Sequence, residues 1–529
     1  MKLAAAVAAT ALSAVAYALA FPPARWSALA WIALVPFLLA LRAVGPRAAL
    51  LLCWFWPVFA SSFVADALPA AVETYFLQSP LVARLFAIGV WTVTGSLYYM
   101  AFGPVYRTLC RRSSVWTPLL AAAAWAAAEL ARGRLLTGSR FFVGNPWALA
   151  AYSQAGSQRL VQIAAVTGVY GISFALVAVN AAITELAVAV RSRERLRRAG
   201  AGLALAALPA VAVLGYGEFS LRARDARRDA VPGVPIAIVQ GDVDLGSVWR
   251  SDFYGRNLDV YLRLTQEALA RGRPQIAFWP EAALSFFLEQ EPLYQRAIAR
   301  VLEPASLELV VGGPRADGAR DGVYYNSVFA IDPDGRIAGR YDKQYLVPFS
   351  EHFPFRGLDL LRRRFERVRV FEAGASGGPL ATRAGAAGIL VCNEAMLPEV
   401  ARRRVLEGAE YLASPSNDSW IRADKWAALM FDMAKLRAVE ERRFLVRAST
   451  SGPSAIVDPW GGVSVQTAPF SRDVALGEIH PRRELSLYGR FGDLFGFGCA
   501  ASVIAVLGAR WKSARKARAG PAASDIDSV

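Results

Sequence analysis

Three residues in one polar stretch of the chain carry the side chains that acyl transfer through a thiol requires. They are Glu281 in FWPEAAL, Lys343 in YDKQYLVPFSEHFP and Cys392 in GILVCNEAM. A thiol attacks a carbonyl only once its proton has somewhere to go, and the tetrahedral oxyanion that follows needs a cation or hydrogen-bond donors nearby. Histidine, the usual proton acceptor for a cysteine, occurs only twice, at His352 and His480. A carboxylate and a lysine are therefore the available partners. Each residue has a plainer reading when taken alone: a packed strand-terminal cysteine, a helix-capping or surface acid, a solvated lysine. The other cysteines, Cys53, Cys110 and Cys499, fall within or beside apolar runs and read as small hydrophobes.

The elements around these residues are strand-like and helical in alternation. PIAIVQG, QIAFWPE, LELVVGG, YNSVFAIDPDG, AAGILVC, AEYLASPS, FLVRAST and SAIVDPWGG read as strands. Helical patterns fit Asn257 to Arg271, Leu293 to Leu302, Pro398 to Glu407 and Trp426 to Arg442. This texture predicts an α/β domain over residues 236–487. Glu281 and Cys392 each follow a strand, where active-site residues of α/β domains gather, and NEAMLPEV after the cysteine reads as a turn into a helix. Lys343 follows the turn signal IDPDG. A lysine there is expected to lower the thiol pKa.

The rest of the chain belongs to a bilayer. With 55% hydrophobic residues over 529 positions and a mean hydropathy of +0.31, the composition excludes an ordinary soluble protein. Seven apolar runs precede the polar domain in residues 1–220: Leu3 to Ala20, Trp26 to Leu41, Ala48 to Ala65, Leu81 to Phe102, Val115 to Ala131, Leu160 to Val190 and Ala201 to Phe219. A linker covers 221–235, an eighth span lies in 488–511, and a basic tail fills 512–529. Ala18-Leu19-Ala20 also resembles a signal-peptide cleavage site, but removing the first run would break the alternation of basic loops. Leu160 to Val190 reads either as one tilted helix or as two pieces broken near Gly168 and Gly171.

The net charge of +16 gathers at the ends of apolar runs, which speaks for membrane topology rather than nucleic-acid binding. Arg42, Arg47, Arg107, Arg111, Arg112, the cluster from Arg191 to Arg198 and the tail fall on one side, which predicts a cytoplasmic face there and an extracytoplasmic polar domain. Four cysteines without CxxC spacing argue against a metal site, and no cofactor is expected. A transporter or sensor with an external domain is the reading from another class. Mid-span charge pairs, which transport pathways favour, are not evident, since Glu129 and Glu185 lie toward span ends.

WPE, a lysine followed by VPFSEHFP, and a strand ending in CxE, in this order, resemble the nitrilase superfamily of Glu-Lys-Cys amidases and acyltransferases. The membrane runs narrow the resemblance to the apolipoprotein N-acyltransferase family, over nearly the whole chain. NPWALAAYSQ, QGDVDLGSVW, YYNS, SNDSW and ERRFLVRAST also match. The resemblance implies a multi-span α-helical membrane domain plus an extracytoplasmic α/β nitrilase-like domain, an αββα sandwich, on the periplasmic side of a bacterial inner membrane. It implies Cys392 as nucleophile, Glu281 as base and Lys343 as stabiliser, with Glu351, Glu394 and Asn326 in support. Trp249, Trp420, Trp147 and Asn393 then fall near the substrates. The implied reaction moves a fatty acyl chain from a phospholipid to the α-amine of a diacylglyceryl apolipoprotein, in a monomer. A membrane-tethered amidase with water as acceptor shares the same triad. The sequence departs from the family pattern at Asn393, where an aromatic residue is frequent, and in GNPW at Gly144 to Trp147, in place of GFPW.

Overall fold

The computed structural model describes residues 3–135, 137–138, 144–190, 193–225, 232–244, 251–354, 370–375, 377–419 and 421–519. The N-terminal part is a helical bundle of α1 (Leu3–Leu19), α2 (Val35–Ala43), α3 (Pro46–Val64), α4 (Ala67–Thr74), α5 (Pro80–Arg111), α6 (Thr117–Arg134), α7 (Val169–Ala189) and α8 (Arg193–Asp225). Four of these, α3, α5, α7 and the Leu196–Arg224 part of α8, are long and apolar enough to cross a membrane. So is the stretch Leu494–Arg515 of the C-terminal helix, which makes five among the described residues. The first apolar run is packed into the bundle: Ser13 Oγ accepts from Trp56 Nε1 at 3.0 Å, and Tyr17 donates to the Ala148 carbonyl at 2.8 Å.

Several runs are subdivided. The second becomes a short 3-10 turn, Ser27–Trp31, and the nine-residue α2. The fourth is one helix with a π turn at Thr92–Ser96. Leu160 to Val190 is broken: helical turns at Gln158–Val161 and Ala164–Thr167 stop at Gly168, which has φ 63°. A Cβ there would lie 2.6 Å from the Tyr488 ring, so both the conformation and the close approach require glycine. α8 runs past the expected boundary at 220 as far as Asp225.

The second part holds two six-stranded sheets. One contains β1 (Val234–Gln240), β2 (Ile276–Phe278), β3 (Glu308–Ala316), β4 (Tyr324–Ile331), β5 (Ile337–Asp342) and β12 (Asp473–Ile479), in the order β12-β1-β2-β3-β4-β5. The other contains β6 (Leu380–Thr382), β7 (Gly385–Ile389), β8 (Tyr411–Ser416), β9 (Leu445–Ser449), β10 (Ala455–Val457) and β11 (Val463–Gln466), in the order β11-β10-β9-β8-β7-β6. The central strands run parallel, and the outer ones add antiparallel partners.

Strand alternation sets the layers. Ile236, Ile238, Phe278 and Val310 of the first sheet meet Ile389, Tyr411, Val446 and Ile456 of the second in a common core. Intervening residues such as Ala237, Val239 and Leu309 pack outward on α9 (Tyr254–Arg271) and α10 (Pro292–Leu302). Leu412, Leu445 and Val457 pack outward on α11 (Pro398–Leu406) and α12 (Asp424–Glu441). The result is a four-layer αββα sandwich whose central strands are buried on both faces, which is why they read as unbroken apolar runs. α13 (Leu494–Ala519) leaves this domain and packs against α6.

α12 also seats the sandwich on the bundle. Its Leu429, Met430, Met433, Leu436 and Val439 belong to the same buried cluster as α1, α3, α6 and α7.

Candidate active site

Glu281 follows β2 at a corner that the facing glycines of β3 make possible. A Cβ on Gly312 would come within 2.6 Å of Glu281 Cα and 2.7 Å of the Pro280 oxygen. With hydrogen there instead, Gly312 N–H bonds the Pro280 carbonyl at 3.1 Å, and Leu284 N–H bonds the Gly312 carbonyl at 3.0 Å. The corner turns through Ala282 at φ 56°.

Lys343 is the first residue after β5, and its N–H is held by the Asn326 carbonyl of β4 at 2.8 Å. Its ammonium lies 2.9 Å from the Glu351 carboxylate and 3.4 Å from Glu281 Oε1. Asn326 Nδ2 joins the two acids, donating at 2.7 Å to Glu281 Oε1 and at 2.7 Å to Glu351 Oε1. The other Glu351 oxygen accepts the Val347 N–H at 2.8 Å. All four side chains are buried, Lys343 to 1% exposure. Burial alone would lower the Lys343 pKa, but Glu351 and then Glu281 outweigh it and hold the ammonium firmly protonated. Burial likewise pushes the Glu351 carboxyl up, and the Lys343 charge with the Val347 and Asn326 hydrogen bonds brings it below its ordinary value.

Cys392 opens a 3-10 turn, Cys392–Met396, a few residues beyond β7. Its backbone sits at φ 51°, a left-handed conformation that costs a non-glycine residue on the order of 1 kcal/mol or more. Glu394 holds the turn in place. It accepts from Val391 N–H at 2.8 Å, Gln344 N–H at 2.9 Å, Tyr345 N–H at 3.1 Å and Tyr341 Oη–H at 2.9 Å. One carboxylate thus fastens the cysteine turn to the lysine loop, a positioning role. Asn393 adds a second tie, Nδ2 to the Tyr345 carbonyl at 2.9 Å.

The thiol does not rest as a thiolate. Burial, then the Glu281 charge, push Cys392 well above its ordinary pKa, and the pull of Lys343 in the other direction is outweighed. The expected lowering by Lys343 is therefore corrected: in a site this dry, removing water from the thiolate costs more than one shared cation returns. The arrangement suits proton transfer to a base at the moment of attack, with Lys343 already charged for the oxyanion.

The strand end Ser416-Asn417-Asp418, which opens the SNDSW motif, also borders the thiol, although only Trp420 of that motif stands out in the sequence. The Asn417 N–H lies beside the Cys392 sulfur and favours its thiolate, and Asp418 is locked by Arg447 at 2.6 Å and Ser449 at 2.7 Å. SNDSW after a strand was the available signal for these residues. Trp420 of that motif and Trp249 lie outside the described residues. Trp147 lies in the seam between the two parts, stacked on Trp426 at 4.3 Å between ring centroids.

Two contacts bring the site to the bundle. Met396, in the cysteine turn, packs on the buried cluster of the bundle helices, and Phe349, in the lysine loop, meets Phe86 of α5 edge-on at 5.4 Å. Arg437 of α12 donates to the Met396 carbonyl at 2.9 Å and to Tyr152 Oη at 3.4 Å. Glu440 of α12 accepts the Val169 N–H at the start of α7 at 3.1 Å.

A four-layer α/β domain with a thiol, an acid and a lysine at one edge, seated on apolar helices, defines a carbon-nitrogen hydrolase domain joined to an integral membrane bundle. Residues 236–484 match the carbon-nitrogen hydrolase family, and residues 13–182 match the apolipoprotein N-acyltransferase N-terminal domain. The apolipoprotein N-acyltransferase of Geobacter metallireducens is 33% identical over 517 residues, covering 95% of this chain and 95% of that protein. That of Gloeobacter violaceus is 30% identical over 530 residues, covering 95% and 94%. Among solved structures, the C. elegans NitFhit protein is 21% identical and covers 47% of this chain and 61% of its own, with a TM-score of 0.38. The chain belongs to the apolipoprotein N-acyltransferase family.

Proposed function

We propose that the chain transfers a fatty acyl group from a bilayer phospholipid, through a thioester on Cys392, to the α-amine of the S-diacylglyceryl cysteine at the N-terminus of an apolipoprotein. Glu281 takes the thiol proton as sulfur attacks the sn-1 ester carbonyl. Lys343 stabilises the tetrahedral oxyanion. Collapse of that intermediate breaks the ester bond, and Glu281 returns the proton to the departing lysophospholipid oxygen. The amine then attacks the thioester, Glu281 accepts its proton, and the thiol is regenerated. Glu351 and Asn326 hold Lys343 and Glu281 in register, and Glu394 holds the cysteine turn.

The observation that carries this reading is the seating of the cysteine turn and lysine loop on the membrane helices, through Met396 and through Phe349 against Phe86. A site beside the bilayer meets acyl chains without drawing a whole lipid into water. On this reading the catalytic domain lies on the periplasmic side of the inner membrane, and the basic residues support it. Arg47, Arg111, Arg112 and Arg510 cluster at the end of the bundle far from the sandwich, in keeping with the cytoplasmic excess of basic residues.

The test is to incubate the purified protein with phospholipid labelled in its sn-1 chain and follow intact mass, then add a diacylated lipopeptide. An acyl adduct that maps to Cys392, is absent in Cys392→Ser and is discharged to the peptide α-amine is the expected result. Free fatty acid without N-acylated peptide would instead make the chain a hydrolase.

A further inference from the structure

The bundle contains a polar cavity at the end opposite the sandwich. It measures about 250 Å³ and is lined by Arg42, Arg111, Arg112, Arg198, Glu185 and Ser113, among others. Its position follows from the helices. Val169, at the start of α7, contacts Glu440 of the catalytic domain, whereas Glu185 lies 16 residues further along, about 24 Å away at 1.5 Å per residue. α8 agrees: Arg198 lines the cavity, and Ser220, six turns on, bonds Arg442 of the catalytic domain at 2.9 Å. α6 agrees as well, with Pro118 of its first turn at the cavity. The cavity and the catalytic thiol therefore face opposite leaflets.

The charge inside does not cancel. Glu185 is already engaged by Arg42 and by Ser113 Oγ at 2.8 Å. Arg111, Arg112 and Arg198 are exposed, and no carboxylate pairs with them among the described residues. The N-terminal turn of α6 adds the positive end of an 18-residue helix to the same wall. A bundle end holding three guanidinium groups without a carboxylate partner among the described residues, around a cavity of this size, is suited to a phosphodiester, which guanidinium binds through paired hydrogen bonds.

We infer that this cavity is a binding site for the phosphate headgroup of an anionic phospholipid in the leaflet opposite the catalytic domain. It is separate from the acyl-donor site and does not depend on the transfer reaction.

Native mass spectrometry of the full chain, released from nanodiscs of phosphatidylcholine with a minor fraction of phosphatidylglycerol, tests this directly. The wild type is expected to retain phosphatidylglycerol. The triple variant Arg111→Gln, Arg112→Gln, Arg198→Gln is expected to bind about a hundredfold more weakly, each arginine contributing about fivefold. A matched triple, Arg47→Gln, Lys512→Gln, Arg515→Gln, removes three charges from the same end of the bundle without touching the cavity. It is expected to retain the lipid. Equal loss in both triples would reduce the effect to general surface charge and overturn the site. Displacement of the lipid by millimolar inorganic phosphate would overturn the lipid assignment in favour of a soluble anion. Neither readout uses acyl transfer, so the result stands or falls apart from the proposed reaction.

Discussion

Glu351→Gln is the perturbation that most directly probes how the site is held. The substitution keeps the shape and removes one charge from an ammonium 2.9 Å away, in a pair exposed by only 1% and 6%. At an effective dielectric near 20 that separation corresponds to a Coulomb energy of about 6 kcal/mol. Part of it offsets the burial of both ions, so loss of one partner is expected to cost about 3–5 kcal/mol of stability. Lys343 would then lean on Glu281, 3.4 Å away, and occupy the base that the thiol needs. Acyl-adduct formation should therefore slow along with the loss of stability. The decisive measurement is a double-mutant cycle with Lys343→Met, read by thermal unfolding in detergent. If the two residues act as a pair, the double variant loses little more than the worse single one, with a coupling of at least about 2 kcal/mol. Additivity to within about 0.5 kcal/mol would refute the pairing and the holding role assigned to Glu351. The pH dependence has a definite sign. Because the folded Glu351 pKa is depressed, its contribution is present above the unfolded value near about 4.3 and is lost as pH falls through the folded value. The gap between wild type and Glu351→Gln should accordingly close in acid.

Gly312→Ala would push a methyl group into the Glu281 corner, where the nearest atoms are backbone; acyl-adduct formation should drop more than tenfold, by about 1.4 kcal/mol or more, with β3 still paired in hydrogen exchange. Asn326→Leu removes two 2.7 Å donors from buried carboxylates and should cost about 3 kcal/mol in melting experiments, whereas a change below about 0.5 kcal/mol would discount the bridge. Burial, followed by the neighbouring Glu440 charge, raises the Glu441 carboxyl to about 8, so the folded protein binds more protons than the unfolded chain and stability falls as pH rises from the unfolded value toward 8. Glu441→Gln should therefore raise the melting temperature more at pH 8 than at pH 5.

The legible and illegible parts of the fold divide along a physical line. The eight strands read from apolar runs, β1 to β4 and β7 to β10, are the sheet interiors, whereas β5, β6, β11 and β12 are the four edges. An edge strand needs a partner on only one side, and IAGRYD or VSVQ can stay half polar without cost. Glu281, Lys343 and Cys392 were visible because each sits just after a strand or turn signal in a segment otherwise poor in nucleophiles. The break at Gly168 is not legible in hydropathy, which averages over a window and does not register one backbone angle. Glu394 was matched as a support, but not as the clamp between two loops, and Arg437 was not singled out. Their bonds join residues 50 and 285 positions apart, a relation that only the folded chain contains.

α12 has no free face: one side packs on the second sheet and the other on the bundle. The α/β domain is therefore held to the bundle through a single packed helix layer, about 10 Å thick, rather than by a flexible tether. Cutting the sandwich away from the bundle would leave Leu429, Met430 and Met433 facing water, and grafting it onto another anchor would keep Glu281, Lys343 and Cys392 while losing the apolar seat that holds them against the helices.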